Sequence, residues 1–270
     1  MKKISALILS LASLGFCLDE YLPIEATKIQ VNAGYMFMVP TGNYDQDGTK
    51  QDSSIKGSPM MHRIPLQIKY GIIKGLDLEL FWEGLITNKD NGNLSGMNTP
   101  EIAVKYALLN MGAGAYINYT IPFVTGNLDQ GGDPTMSLDF GAVYQKRFGN
   151  FRMTGMAGYQ LNFEGDIKKD SGGTVKAKDG NVIHVLMKPE AMWTEFIGTY
   201  LGIIYRMADE SELKGVKQKD DSYSLALSPG LNAMLLKGLA YEISVPFTLM
   251  GKSSDAYWGI SAAVYVTLPM

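Results

Sequence analysis

The chain has 270 residues, is 46% hydrophobic, carries a formal net charge of -3 and contains 30 glycines and 15 tyrosines. That balance provides no basic field for nucleic acid, and the single cysteine, Cys17, excludes an intrachain disulfide or a cysteine-built metal site. Beyond the first residues no apolar run approaches the 18 or so that a membrane helix needs.

Lys2 and Lys3 precede an apolar run from Ile4 to Leu14, followed by small residues. This is the layout of a cleavable secretory signal. We expect residues 1–17 to be removed on export, 18–27 to form a periplasmic N-terminal segment and 28–270 to form the folded body. A lipoprotein would be anchored through Cys17, but bulky Phe16 stands where that signal wants a small residue.

From there, twelve stretches alternate apolar and polar residues. They predict strands over 28–38, 61–72, 76–86, 99–108, 113–123, 136–146, 151–163, 181–193, 197–207, 222–234, 239–249 and 257–268. In the third, Leu76, Leu78, Leu80 and Trp82 share one face, and Asp77, Glu79, Phe81 and Glu83 the other. In the first, Ile29, Val31, Ala33, Tyr35 and Phe37 form the apolar face, as do Leu239, Tyr241, Ile243, Val245 and Phe247 in the eleventh.

The connections alternate in length. Those after even-numbered stretches are tight, such as Ile73-Lys74-Gly75 and Lys237-Gly238, with Gly available for positive φ. The other six are longer and polar, for example Tyr44 to Pro59 and Glu164 to Gly180. The expectation is an all-β fold: a twelve-stranded antiparallel transmembrane β-barrel of the outer membrane, with short periplasmic turns and long extracellular loops. A soluble β-sandwich would also alternate, but it explains neither the leader nor the two kinds of connection.

The predicted register turns Lys28, Arg63, Lys69, Lys105, Arg152, Lys188 and Arg206 into the lumen with Asp77, Glu79, Glu83, Glu101, Asp139, Glu190 and Glu242. We take Arg63, Lys69, Glu79, Glu83, Glu101, Lys105, Asp139, Arg152, Lys188 and Arg206 as candidate solute-contacting residues. A balanced set of this kind reads either as a charge-paired network holding a narrow barrel in shape or as a ladder selecting solutes. Glu79 and Glu83 lie about 13 Å apart along a strand at ~3.3 Å per residue, outside either usual glycosidase spacing. His62 and His184 sit on distant strands without metal-ligand spacing. Asp45, Asp47 and Asp52 around Gly48 hint at a calcium loop but miss the EF-hand pattern.

Met38-Val39-Pro40-Thr41-Gly42-Asn43-Tyr44-Asp45 is echoed by Ile121-Pro122-Phe123-Val124-Thr125-Gly126-Asn127-Leu128-Asp129 and, more faintly, by Val245-Pro246-Phe247. Pro and Gly there are expected to stop ladder pairing as the chain leaves the membrane. The phrase, with the unit Tyr70-Gly71-Ile72-Ile73-Lys74-Gly75-Leu76-Asp77-Leu78-Glu79-Leu80, resembles the MetA-pathway of phenol degradation family of outer-membrane transporter-like barrels. The resemblance implies passage of small solutes, including apolar or aromatic ones, and no catalytic motif. The functional expectation is an outer-membrane channel for passive passage of small solutes, with outer-membrane lipid and solute as its partners and neither cofactor nor metal. Two alternatives stand beside it: a non-conducting barrel whose loops bind a partner, and an outer-membrane hydrolase of phospholipase type using His62, for which no His-x-Ser-Asn-Gly segment occurs.

Overall fold

The computed structural model describes residues 23–52, 60–89, 92–97, 100–108, 110–121, 136–168 and 174–269. The expected signal segment and the Pro122 to Asp129 copy of the rim phrase lie outside the described residues. Twelve barrel strands follow the alternating stretches closely. They are β1 (Lys28–Tyr44), β2 (Met60–Ile73), β3 (Leu76–Lys89), β4 (Glu101–Leu108), β5 (Ala113–Thr120), β6 (Ser137–Phe148), β7 (Phe151–Asn162), β8 (Val182–Met192), β9 (Ile197–Ala208), β10 (Ser222–Leu236), β11 (Leu239–Ser244 and Phe247–Lys252) and β12 (Ser254–Pro269). Each pairs antiparallel with the next. The barrel then closes through β1 against β12, from Lys28↔Pro269 to Tyr44↔Ser254.

The two faces are inverted relative to a soluble protein. Asp77 and Glu83 are 0% exposed and Arg63 1%, whereas Ile64 is 47%, Ile117 48% and Ile243 50% exposed. Apolar side chains on this outer belt are at home in hydrocarbon, and the polar set turns inward, which a soluble sandwich would not tolerate. Tyr106, Tyr144, Phe151 and Tyr241 stand on the outer face beside the short turns, where an aromatic girdle meets the bilayer interface. At those turns Gly75 (φ +83°) and Gly238 (φ +85°) adopt the left-handed conformation, and a Cβ on Gly75 would stand 2.6 Å from the Ala107 carbonyl.

Four features depart from the sequence expectation. The Pro40-Thr41-Gly42 phrase does not end β1: it produces a bulge between Pro40 and Gly42, after which the ladder resumes to Tyr44. Val245-Pro246 likewise interrupts β11 without ending it, because Val245 N–H donates to the Pro229 carbonyl (3.0 Å) and the Pro246 carbonyl accepts from Gly259 N–H (2.8 Å). The connection from β11 to β12 is then Ser253 alone, at φ 46°, rather than a long loop. Outside the membrane, the stretches read as plain loops after β7 and β9 join in a separate four-stranded sheet of Gly165–Lys168, Thr174–Lys178, Glu212–Leu213 and Val216–Lys217.

Candidate functional site

The lumen is organised by a simple steric device. At several inward positions a glycine leaves room for side chains from the strands on either side to meet across it. A Cβ on Gly198 of β9 would stand 2.8 Å from both Glu190 Oε1 and Asn232 Oδ1, and one on Gly230 of β10 2.4 Å from the Tyr200 ring. A Cβ on Gly158 of β7 would lie 2.0 Å from Tyr116 Oη and 2.7 Å from the His184 ring. Charges on separated strands therefore make direct contact.

Five groupings result. On β2 and β3, Arg63 and Glu83 form a two-point pair at 2.5 and 2.7 Å. Glu79 receives Lys105 at 2.9 Å, Lys69 at 3.5 Å and the Gln67 amide at 2.9 Å, and Gln67 in turn accepts from Asn32 (2.8 Å). On the opposite wall Arg152 reaches Glu190 at 2.5 Å, and Asn232 also donates to Glu190. Lys188 donates to Glu242 at 2.8 Å while standing 4.2 Å from the centre of the Tyr200 ring, whose hydroxyl bonds to the same carboxylate.

The fifth grouping lies between these walls. His184 Nε2 is 2.9 Å from Asp139 Oδ1, and the Tyr116 hydroxyl bonds to both Asp139 oxygens at 3.3 Å. Glu101 accepts from Asn118 Nδ2 at 2.6 Å. Glu79, Glu101, Lys105, Tyr116, Asn118 and Asp139 share a cavity of about 60 Å³ with Gln67, Phe81, Ala103 and Met156. A second cavity, of about 10 Å³, lies beside Asn32, Gly34, Pro65 and Tyr265. At ~10–15 Å³ per water the larger one admits a few waters.

The candidate residues thus separate. Arg63, Lys69, Glu79, Glu83, Lys105 and Lys188 are nearly fully buried and ion-paired. Arg206 is buried on β9 opposite His184. Arg152, 22% exposed, sits near the periplasmic turn, and Glu101 and Asp139 face the cavity. Lys28, at the start of β1, pairs with Glu25. Sequence reasoning missed Asn32, Gln67, Tyr116, Asn118, Tyr200 and Asn232; each occupies an inward position of its strand, so the period-two pattern carried the signal.

At the periplasmic end, Pro23 and Ile24 are buried; Ile24 N–H donates to Asp77 (3.2 Å) and Thr27 N–H to the Gly71 carbonyl (2.8 Å). His62 stands on the lipid-facing side, 2.6 Å from the Tyr35 hydroxyl and with its ring 5.3 Å from that of Phe37. Asp45 Oδ1 accepts the backbone N–H groups of Asp47 and Thr49, so its carboxylate closes the turn itself. Among the described residues no three His, Cys, Asp or Glu side chains are grouped to hold a metal ion.

No protein-family model and no curated protein matches this chain in sequence. Solved structures do match its fold. An outer-membrane channel from Pseudomonas putida F1 superposes with a TM-score of 0.78 at 14% identity, over 92% of this chain and 98% of that one. The translocator domain of the autotransporter NalP from Neisseria meningitidis gives 0.52 at 8%, over 96% and 93%. The CymD monoaromatic hydrocarbon channel gives 0.50 at 8%, over 92% and 89%. The chain is an outer-membrane β-barrel. At these identities the likeness speaks for the fold, and the argument about function rests on the lumen.

Proposed function

We propose that the barrel is a narrow outer-membrane channel for passive passage of small solutes, belonging with the phenol-degradation type of transporter-like barrels. The observation that carries the reading is the cavity at mid-lumen, bounded by Glu79, Glu101, Lys105 and Asp139 and large enough for a few waters. A barrel serving only as a scaffold for its loops has no use for a polar void there; filling it with side chains would give a stabler core. The ten candidate residues act in two ways under this proposal: paired charges hold the wall in shape, and the cavity-facing ones meet the solute.

Size decides what passes without rearrangement. A cavity of about 60 Å³ is well short of the ~150 Å³ that holds benzene. Ions and very small polar solutes fit the cavity as it stands, and an aromatic ring, of the kind named for the CymD channel, enters it only if lining side chains move. Purified protein in planar bilayers should give small single-channel currents, and liposomes containing it should swell faster in the smallest solutes than in phenol-sized ones. Absence of both current and swelling would favour the non-conducting, partner-binding alternative. Release of fatty acid from phospholipid, lost on His62→Ala, would favour the hydrolase.

A further inference from the structure

We infer that the mid-lumen cavity selects for cations, with Glu101 and Asp139 as the residues that set the preference; this rests on the channel reading above.

The inference comes from tracing compensation group by group around the cavity. From β2 and β3, Lys69 and Lys105 both reach Glu79, and Asp77 on the same side brings the total of two lysines against two carboxylates to neutrality. Arg63 and Glu83 cancel each other at close range. On the far wall Arg152 is matched with Glu190, and Lys188 with Glu242. Against these, Glu101 on β4 is held by an amide, Asn118, and no basic side chain is paired with it among the described residues. Asp139 on β6 is held by the Tyr116 hydroxyl and by His184, which cancels its charge only when protonated.

Arg206, buried on β9 opposite His184, adds a further positive charge on this wall, and with it counted the lumen charges named here leave one carboxylate in excess. A second observation points the same way. Asn118 spends its Nδ2 on Glu101, and its Oδ1 is buried without a donor among the described residues although the residue lines the cavity. The Asn118 carbonyl oxygen, the Glu101 and Asp139 carboxylates and the Tyr116 hydroxyl place oxygens on one side of a space whose remaining wall includes Phe81, Ala103 and Met156, and that oxygen side favours a monovalent cation or an ammonium group over an anion. Lys105, the one lysine or arginine lining the space among the described residues, is paired with Glu79.

A carboxylate about 4 Å from a passing ion in water-like surroundings changes its occupancy by about fivefold, in opposite senses for cation and anion. The reversal potential of purified protein in a planar bilayer under a potassium chloride gradient should accordingly give a potassium-to-chloride permeability ratio above about three. Glu101→Gln should lower it at least twofold, and Glu101→Gln with Asp139→Asn should bring it near or below one. Both changes are isosteric, and unaltered circular dichroism with retained conductance confirms that the barrel has folded. A current with a ratio at or below one in the unaltered protein, or a ratio that the double variant leaves unchanged, overturns this inference while leaving the channel standing. No current at all overturns the channel reading and this one with it.

Discussion

The Arg63–Glu83 pair offers the sharpest test of how the lumen is held. Arg63 is 1% exposed and Glu83 0%, and the two meet at 2.5 and 2.7 Å. Removing one member of such a pair leaves an uncompensated buried charge, worth about 3–5 kcal/mol, whereas replacing both by apolar residues of similar volume is close to neutral. Arg63→Met alone should therefore destabilise the barrel by about 3–5 kcal/mol, and Arg63→Met with Glu83→Leu should recover most of the loss. The assay is reversible guanidinium unfolding in lipid vesicles followed by tryptophan fluorescence, completed as a double-mutant cycle. Lys176–Glu164 is the control: its side chains are 67% and 47% exposed, and Lys176→Ala should cost under ~1 kcal/mol. A single-variant cost below ~1 kcal/mol at Arg63, or a coupling near zero, would refute the view that these charges are dry and mutually dependent.

Register is tested by Leu78→Arg, which places a charge on the lipid face and should cost about 2–4 kcal/mol if near the midplane, with assembly into outer membranes as the readout; normal assembly would contradict the outward placement of Leu78. Gly158→Ala should destabilise by about 1–3 kcal/mol through overpacking, since the new Cβ meets Tyr116 and His184, whereas Gly155→Ala, whose new Cβ would stand 3.6 Å from the Leu186 carbonyl oxygen, should change little; equal effects would remove the steric reading. The Asp45 carboxylate is held below the usual range by the Thr49 N–H, then by the Gln51 amide. Its folded pKa being depressed, the turn is supported above the unfolded value near 4 and loses that support as pH falls through the folded value. Cleavage after exposed Lys50 by an acid-tolerant protease should rise in that window, and Asp45→Ala should raise it at neutral pH as well; a flat profile would count against the turn.

Which way each residue faces was legible because a strand puts alternate side chains on opposite faces, and lipid and lumen demand opposite chemistry; Leu76 to Glu83 could be assigned without coordinates. Which lumen groups touch was not, since contacts such as Glu190 with Asn232 depend on barrel stagger and on a glycine between them. That Glu101 is short of a cation is likewise a property of three-dimensional register, invisible in a balanced list of charges. The prolines misled in one respect: Pro40 and Pro246 mark bulges and breaks because neighbouring carbonyls and N–H groups find other partners. The outer four-stranded sheet was illegible for a different reason: strands of two to five residues are too short to display an alternation.

Within the barrel every ladder but one joins strands adjacent in the chain. The exception, β1 with β12, brings Tyr44 to Ser254 and Lys28 to Pro269. Closing a loop of some 240 residues rather than one of about 15 adds roughly 2.5 kcal/mol of entropic cost at ~0.6 per doubling, so hairpins should assemble first and this zipper should limit the rate of folding. Until it forms, the sheet has two open edges of the kind that recruit strands from other molecules. The hazard of misassembly is thereby confined to one interval, ended by one ladder.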